Sequence, residues 1–344
     1  MKRMGWIARG AAVAVMAASV AACGQAGTTG THSSTGASGR PSLDVHYYPG
    51  VLAELPLWTA EARGLFARHG VDVNLVPIAT GPDAVAAAAN GSVDTISFTG
   101  GGTMVANAKG QDLRAISGML KNQVYTILAQ PGSGQPKSYP QNVLALKGHT
   151  VGVTGRGADT ELVVRTLLEE VGLDPDEDVT FLALGSPTNF PAAWRAKRVD
   201  YAITGEPMTS LLSDGGRGAE VVIDLRKPGE GNPFTPWIGQ ALFAKGAAID
   251  GDPRAFAALQ AAIDDAIRYI RDPAHLDELV EIVGEQLNLS PALLRDVIRE
   301  EQAGWSSALT CEQVERVAAW TVSMELLRED EAPTCSEFVW KGAR

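Results

Sequence analysis

The stretch Val151-Gly-Val-Thr-Gly-Arg-Gly-Ala-Asp-Thr-Glu-Leu-Val-Val-Arg-Thr-Leu-Leu168 decides the fold. Val151 and Val153 read as the end of a buried strand. Gly155 and Gly157 permit a tight turn without a Cβ penalty. Asp159 stands where an N-cap would, and Leu162, Val163, Thr166 and Leu167 form one apolar helical face. A strand that ends in such a turn and feeds a helix points backbone N–H groups at the carboxyl edge of a sheet. Open α/β folds bind small molecules at that edge. The turn is therefore expected to be one jaw of a ligand cleft.

The same strand–turn–helix grammar recurs along the chain. Strands are expected at residues 43–48, 71–76, 95–98, 115–119 and 125–129, with helices between the earlier ones. Thr80-Gly81-Pro82 opens an alanine-rich helix, and Thr99-Gly-Gly-Gly-Thr103 is a second glycine-rich strand-to-helix turn. A second block from about 144 to 225 holds the opening stretch and strands at 179–184, 199–203 and 221–225. Residues 238–244 return to the first block, and 253–327 is helical, with breaks at Pro273, Pro291 and Gly304. Strands alternating with helices give an α/β class with mostly parallel sheets. The blocks also echo each other: Asn90-Gly-Ser-Val-Asp94 matches Ala196-Lys-Arg-Val-Asp200, and each precedes a strand with a polar end.

The N-terminus carries its own message. Lys2, Arg3 and Arg9 precede a short apolar run ending in Ala21-Ala22-Cys23-Gly24. That is too short to span a bilayer and is built like a signal peptide. It resembles the lipobox of bacterial lipoproteins, with Cys23 as the lipidated first residue after cleavage. Residues 1–22 are thus expected to be removed. Residues 23–41, rich in Gly, Ser and Thr, are expected to tether the anchor to the fold. Loss of 1–22 moves the formal net charge from −11 to −14. An acidic chain without a basic stripe argues against nucleic acid. Cys311 and Cys335 are the remaining cysteines, and export favours their forming a disulfide.

The stretches Leu57-Trp-Thr-Ala-Glu-Ala-Arg-Gly-Leu-Phe-Ala-Arg-His-Gly70, Gly81 to Asp94, Lys147-Gly-His-Thr-Val-Gly-Val153 and Leu168-Glu-Glu-Val-Gly-Leu173 add a family resemblance. In order and spacing they are similar to type II substrate-binding lipoproteins of ABC importers, the group of nitrate, sulfonate, taurine and thiamine-precursor binders. The resemblance covers most of residues 43–290. It implies two α/β lobes, each a mixed, mostly parallel sheet flanked by helices, closing on a small molecule and presenting it to permease subunits. It places the first lobe at 42–135 and 231–344 and the second at 136–230, with helices at the C-terminal end.

Candidate ligand contacts are Leu55, Thr80, Gly81, Thr99, Gly100, Gly101, Arg156, Gly157, Ala158, Asp159, Thr160, Asn189, Glu206 and Trp237. Strand-end turns suit ligands because glycine and small hydroxyl residues allow close approach to backbone N–H groups. The same glycines also suit plain tight αβ connections. Tyr47, Tyr48, Phe98 and Phe190 lie in or beside these turns and could flank a flat solute, although most aromatics in such folds are core. No metal, dinucleotide or nucleophile-elbow motif is legible, so neither a cofactor nor catalysis is expected. A monomer is expected, anchored to the outer face of the bacterial cell membrane through Cys23. Two other readings remain: an enzyme on the same scaffold, like the thiamine-pyrimidine synthases, and a signalling or adhesive lipoprotein. In sulfonate-type members a Gly-Ser pair supplies a hydroxyl where this chain has Gly157-Ala158. Arg156 could pair with an anion. Asp159 and Glu206 fit a partly cationic, zwitterionic or heterocyclic solute better.

Overall fold

The computed structural model describes residues 34–35, 39–213 and 218–343. The signal segment, Cys23 and most of the expected tether lie outside them. The described chain runs through β1 (Ser34–Thr35), β2 (Pro41–Tyr47), β3 (Asp72–Pro77), β4 (Thr95–Phe98) and β5 (Leu113–Leu120). It then passes to β6 (Thr126–Ala129), β7 (Thr150–Val153), β8 (Thr180–Ala183), β9 (Tyr201–Thr204) and β10 (Glu220–Asp224), and returns as β11 (Gln240–Lys245).

Two mixed sheets result. In the first, β2 pairs in parallel with β3 and β4, and β11 lies antiparallel between β4 and β5. In the second, β7 pairs in parallel with β8 and β9, and β6 lies antiparallel between β9 and β10. The orders β3-β2-β4-β11-β5 and β8-β7-β9-β6-β10 thus match, each with four strands running one way and the fourth in the order against them, while β1 adds an antiparallel pairing to β2. The echoed aspartates explain part of this likeness. Asp94 takes the Asp44 N–H on its carboxylate (2.8 Å) and gives its own N–H to the Asp44 carbonyl (2.8 Å), locking β4 to β2. Asp200 does the same to Thr150 (2.9 and 2.9 Å), locking β9 to β7.

The sequence placed residues 125–129 in the first lobe, with the crossing near 135. The structure puts β6 in the second sheet, so the crossing occupies residues 121–125. All four residues of β6 are buried. A strand covered on both faces has no alternation to reveal which sheet it joins.

One face of the first sheet is covered by the helices Leu55–Ala62, Pro253–Arg271, Leu276–Gln286 and Pro291–Glu301 around Trp58, Phe256, Ile263 and Val283. The helix Pro253–Arg271 starts where Asp252 accepts the Ala255 N–H (3.1 Å) and Pro253 supplies a preset φ. It buries Phe256, Leu259, Ile263, Ile267 and Ile270. Each such side chain contributes about 1.5–3 kcal/mol by leaving water. The helices Gly100–Ala108 and Cys311–Ser323 pack together, and the latter is bonded to the next short helix through Cys311–Cys335. A loop of that size corresponds to about 3 kcal/mol of stabilisation. In the second lobe the helix Asp159–Glu170 buries Val163, Val164, Leu167 and Leu168. The expected Leu162 and Thr166 are only half-buried, because the inward face is rotated by about one residue.

Candidate functional site

The carboxyl edges of the parallel strands face one another. Tyr48 follows β2 and Phe98 ends β4 in the first lobe. In the second lobe Tyr125 precedes β6, whose Thr126 pairs with Thr204 at the end of β9, and Asp159 opens the helix after β7. The lobes touch directly: the Leu52 N–H donates to the Glu206 carbonyl (3.1 Å), and Gly50 lies against the Thr188 methyl. Within the first lobe, a Cβ on Gly81 would meet the Phe98 ring at 2.7 Å and the Tyr48 hydroxyl at 3.4 Å, so these three residues form one wall.

Asp159 is not the cap the sequence suggested. The N-cap is Ala158, which has no capping side chain, and Asp159 is the first helical residue. The next two residues serve the turn instead: Glu161 accepts the Gly157 N–H (2.7 Å), and the Thr160 hydroxyl accepts the Thr154 N–H (3.0 Å). The Asp159 carboxylate is left free of that duty. Its Oδ2 is buried and has no hydrogen-bond partner among the described residues. Burial pushes its pKa up to about 6, with the Tyr125 hydroxyl pulling the other way. In turn burial, and after it the nearby carboxylates, Asp159 among them, push the Tyr48 and Tyr125 phenols well above their ordinary range. At neutral pH the site therefore holds one ionised carboxylate between two neutral phenols, one from each lobe.

A second carboxyl lies behind Tyr48. Glu54 is fully buried, accepts from Ser97 Oγ (2.9 Å) and Gln240 Nε2 (3.3 Å), and is pushed up to about 8 by burial. It is neutral at pH 7. Nearby His46 donates its Nε2–H to the Ile78 carbonyl (3.1 Å), and burial holds it at about 4, also neutral.

The other expected contacts divide. Gly81 lies in the wall described above. Thr80 caps its helix by accepting the Asp83 N–H (3.3 Å). Thr99 caps likewise, accepting the Gly102 N–H (3.2 Å). Gly100 and Gly101 are structural: a Cβ on them would lie 2.8 Å from Ile238 and 2.5 Å from Trp320. Leu55 is a fully buried core residue, and Trp237 packs edge-on between Phe234 and Trp320. Asn189 holds its own turn through the Leu184 carbonyl (2.8 Å). Arg156 pairs with Glu161 (3.2 Å) and lies over the Phe181 ring. Glu206 does not present a free carboxylate. One oxygen pairs with Arg226 and the other accepts the Ser210 N–H (3.2 Å).

Sequence reading missed Tyr125, Glu54 and Arg226. Arg226 also binds Asp224 (2.8 Å) and Glu301 (2.8 Å), the latter at the end of a first-lobe helix, so it ties the lobes beside the second crossing. Burial and the crowd of carboxylates leave Glu301 at about 7 despite the guanidinium. Two shallow hollows of about 320 and 310 Å³ lie on the surface at Val322–Glu331 and around Arg63 and Tyr269. They are open, and neither includes a residue of the facing edges.

A family model described as NMT1-like matches residues 38–284. The bicarbonate transport ATP-binding protein CmpC of Synechocystis sp. is 27% identical over 261 residues, covering 72% of this chain and 38% of that protein. The chain thus spans well under half the length of that relative. Among solved structures, the alkanesulfonate-binding protein SsuA from Xanthomonas axonopodis pv. citri, bound to MOPS, superposes with a TM-score of 0.71 at 20% identity, over 87% of this chain and 98% of that one. The periplasmic nitrate-binding protein NrtA from Synechocystis PCC 6803 gives 0.70 at 14% identity, over 85% and 84%. These likenesses establish the two-lobed periplasmic-binding-protein fold read from the sequence. With most of the described body inside the matched region, the chain belongs to the NMT1-like family.

Proposed function

We propose that this protein is an extracytoplasmic solute-binding lipoprotein. It captures a small molecule between its lobes and delivers it to the permease of an ABC importer, without chemical turnover. One observation carries this reading: aromatic side chains from both lobes and the Asp159 carboxylate, bonded by Tyr125 and with its Oδ2 still open, meet where the carboxyl edges of the two sheets face each other. Ligands enter open α/β sheets at that edge. The linkers at residues 121–125 and 225–239 are the hinge, and closure around the solute is the transport signal. Cys23 supplies the anchor and the acidic body stays in solution as a monomer.

Thermal unfolding of the mature protein against a broad solute panel is the test. A captured solute present at 100 times its dissociation constant stabilises the native state by about 2.7 kcal/mol. Absence of any stabilising solute sinks the capture reading, and conversion of a stabilising solute by pure protein sinks the non-enzymatic one. Replacing Cys23 by Ser should move the protein from the membrane fraction to the medium.

A further inference from the structure

We infer that the captured solute carries a positively charged nitrogen and that Asp159 is its counter-ion; this rests on the capture reading above. Asp159 is half-buried, the Tyr125 hydroxyl bonds its carboxylate, and its Oδ2 is sealed from water with no donor among the described residues. A buried carboxylate oxygen without a donor is uncommon and costly. The usual reasons for one are missing here. Asp159 caps no helix, because the N-cap is Ala158. Arg156 and Arg165 are paired with Glu161, and Arg226 with Glu206, Asp224 and Glu301.

The surroundings match a cation. Tyr48 faces Asp159 from the first lobe and Tyr125 from the second, with Phe98 beside Tyr48. A carboxylate among neutral aromatic side chains attracts an ammonium group by its charge, and a ring face within reach adds the attraction of its quadrupole. A sulfonate, nitrate or bicarbonate entering the same space would meet a like charge. The charge of the solute is thus opposite to that of the ions named for several relatives.

Matched probes test this: ethanolamine against ethanesulfonate, and benzylamine against benzenesulfonate, by calorimetry and thermal shift on the mature protein. Mass spectrometry of the solute released on denaturation runs beside them. The amines are expected to stabilise and the sulfonates not, with the Asp159→Asn variant losing at least tenfold in amine affinity while remaining folded. Amine affinity should fall about tenfold from pH 7 to pH 5, as Asp159 protonates. Tyr48 and Tyr125 stay neutral over that range, Glu54 stays protonated, and Glu161 on the same helix remains paired with Arg156 and Arg165. A stabilising or released solute without a cationic nitrogen overturns the inference but leaves capture standing. So does a cation that binds Asp159→Asn as well as the native protein. No released solute and no stabilising compound in the wider panel overturns capture itself.

Discussion

The two glycine-rich strand-to-helix turns look interchangeable in sequence and differ in kind. In the first lobe, Thr99–Gly102 is consumed by packing: Thr99 caps the helix, the Gly100 N–H donates to the Ile238 carbonyl (3.0 Å), and Gly101 makes room for Trp320. In the second, Gly155 and Gly157 pack against little, and the turn's backbone needs are met by Glu161 and Thr160. The carboxyls beside the turns differ in charge. Each keeps one buried oxygen without a donor among the described residues, but Glu54 takes two side-chain donors on the other and is neutral, whereas Asp159 is ionised. One lobe supplies a rigid wall and the other supplies the reactive charge.

The largest effect expected from this contrast is a pH dependence rooted in Glu54. Its folded pKa of about 8 lies above the unfolded 4.5, so its stabilisation is complete below pH 4.5 and is lost as pH rises through 8. The slope approaches about 1.4 kcal/mol per pH unit. Between pH 6 and 9 the native protein should lose about 3 kcal/mol more than Glu54→Gln, read by urea unfolding. Equal slopes for the two proteins would mean that Glu54 is ionised in its pocket. Next comes the packed turn. A Cβ at Gly101 would lie 2.5 Å from the Trp320 ring, which is itself held by Phe234 and Trp237. Gly101→Ala should therefore cost about 1–3 kcal/mol.

The sequence carried most of the architecture because periodicity and turn chemistry are local. The echoed Asp94 and Asp200 were legible as a repeat, and both proved to be strand locks rather than acids. The site was less legible, because its members are far apart in sequence and each has a bland local reading. Tyr125 sits at the start of a fully buried strand, Glu54 is a carboxylate at the edge of a helix, and Arg226 is one charged residue in a loop. Glu206 misled for the complementary reason: its partner Arg226 lies twenty residues on, across the sheet, where no local pattern can pair them. Glycines were the ambiguous signal, since a missing Cβ serves a tight helix contact and a ligand equally well.

Asp159 should behave in the opposite sense to Gly101. Its folded pKa of about 6 exceeds the unfolded 3.8, so the native protein loses stability as pH rises through 6. Asp159→Asn should accordingly gain on the order of 2 kcal/mol at pH 8, with the gain vanishing near pH 4. A binding residue that weakens its own fold is the expected signature of a site held ready for a partner. A loss of stability in Asp159→Asn at pH 8 would instead make the carboxylate a structural group.

The smallest effect closes the comparison between the turns. A Cβ on Gly155 would make only ordinary contact with Ala158 at 3.6 Å, and this glycine has no positive φ to protect. Gly155→Ala should change stability by less than about 0.5 kcal/mol, well below Gly101→Ala. If the two substitutions cost the same in unfolding, the turns are equivalent scaffolds after all. If Gly155→Ala is silent in unfolding but weakens amine binding, the second turn keeps its glycine for the solute rather than for the fold.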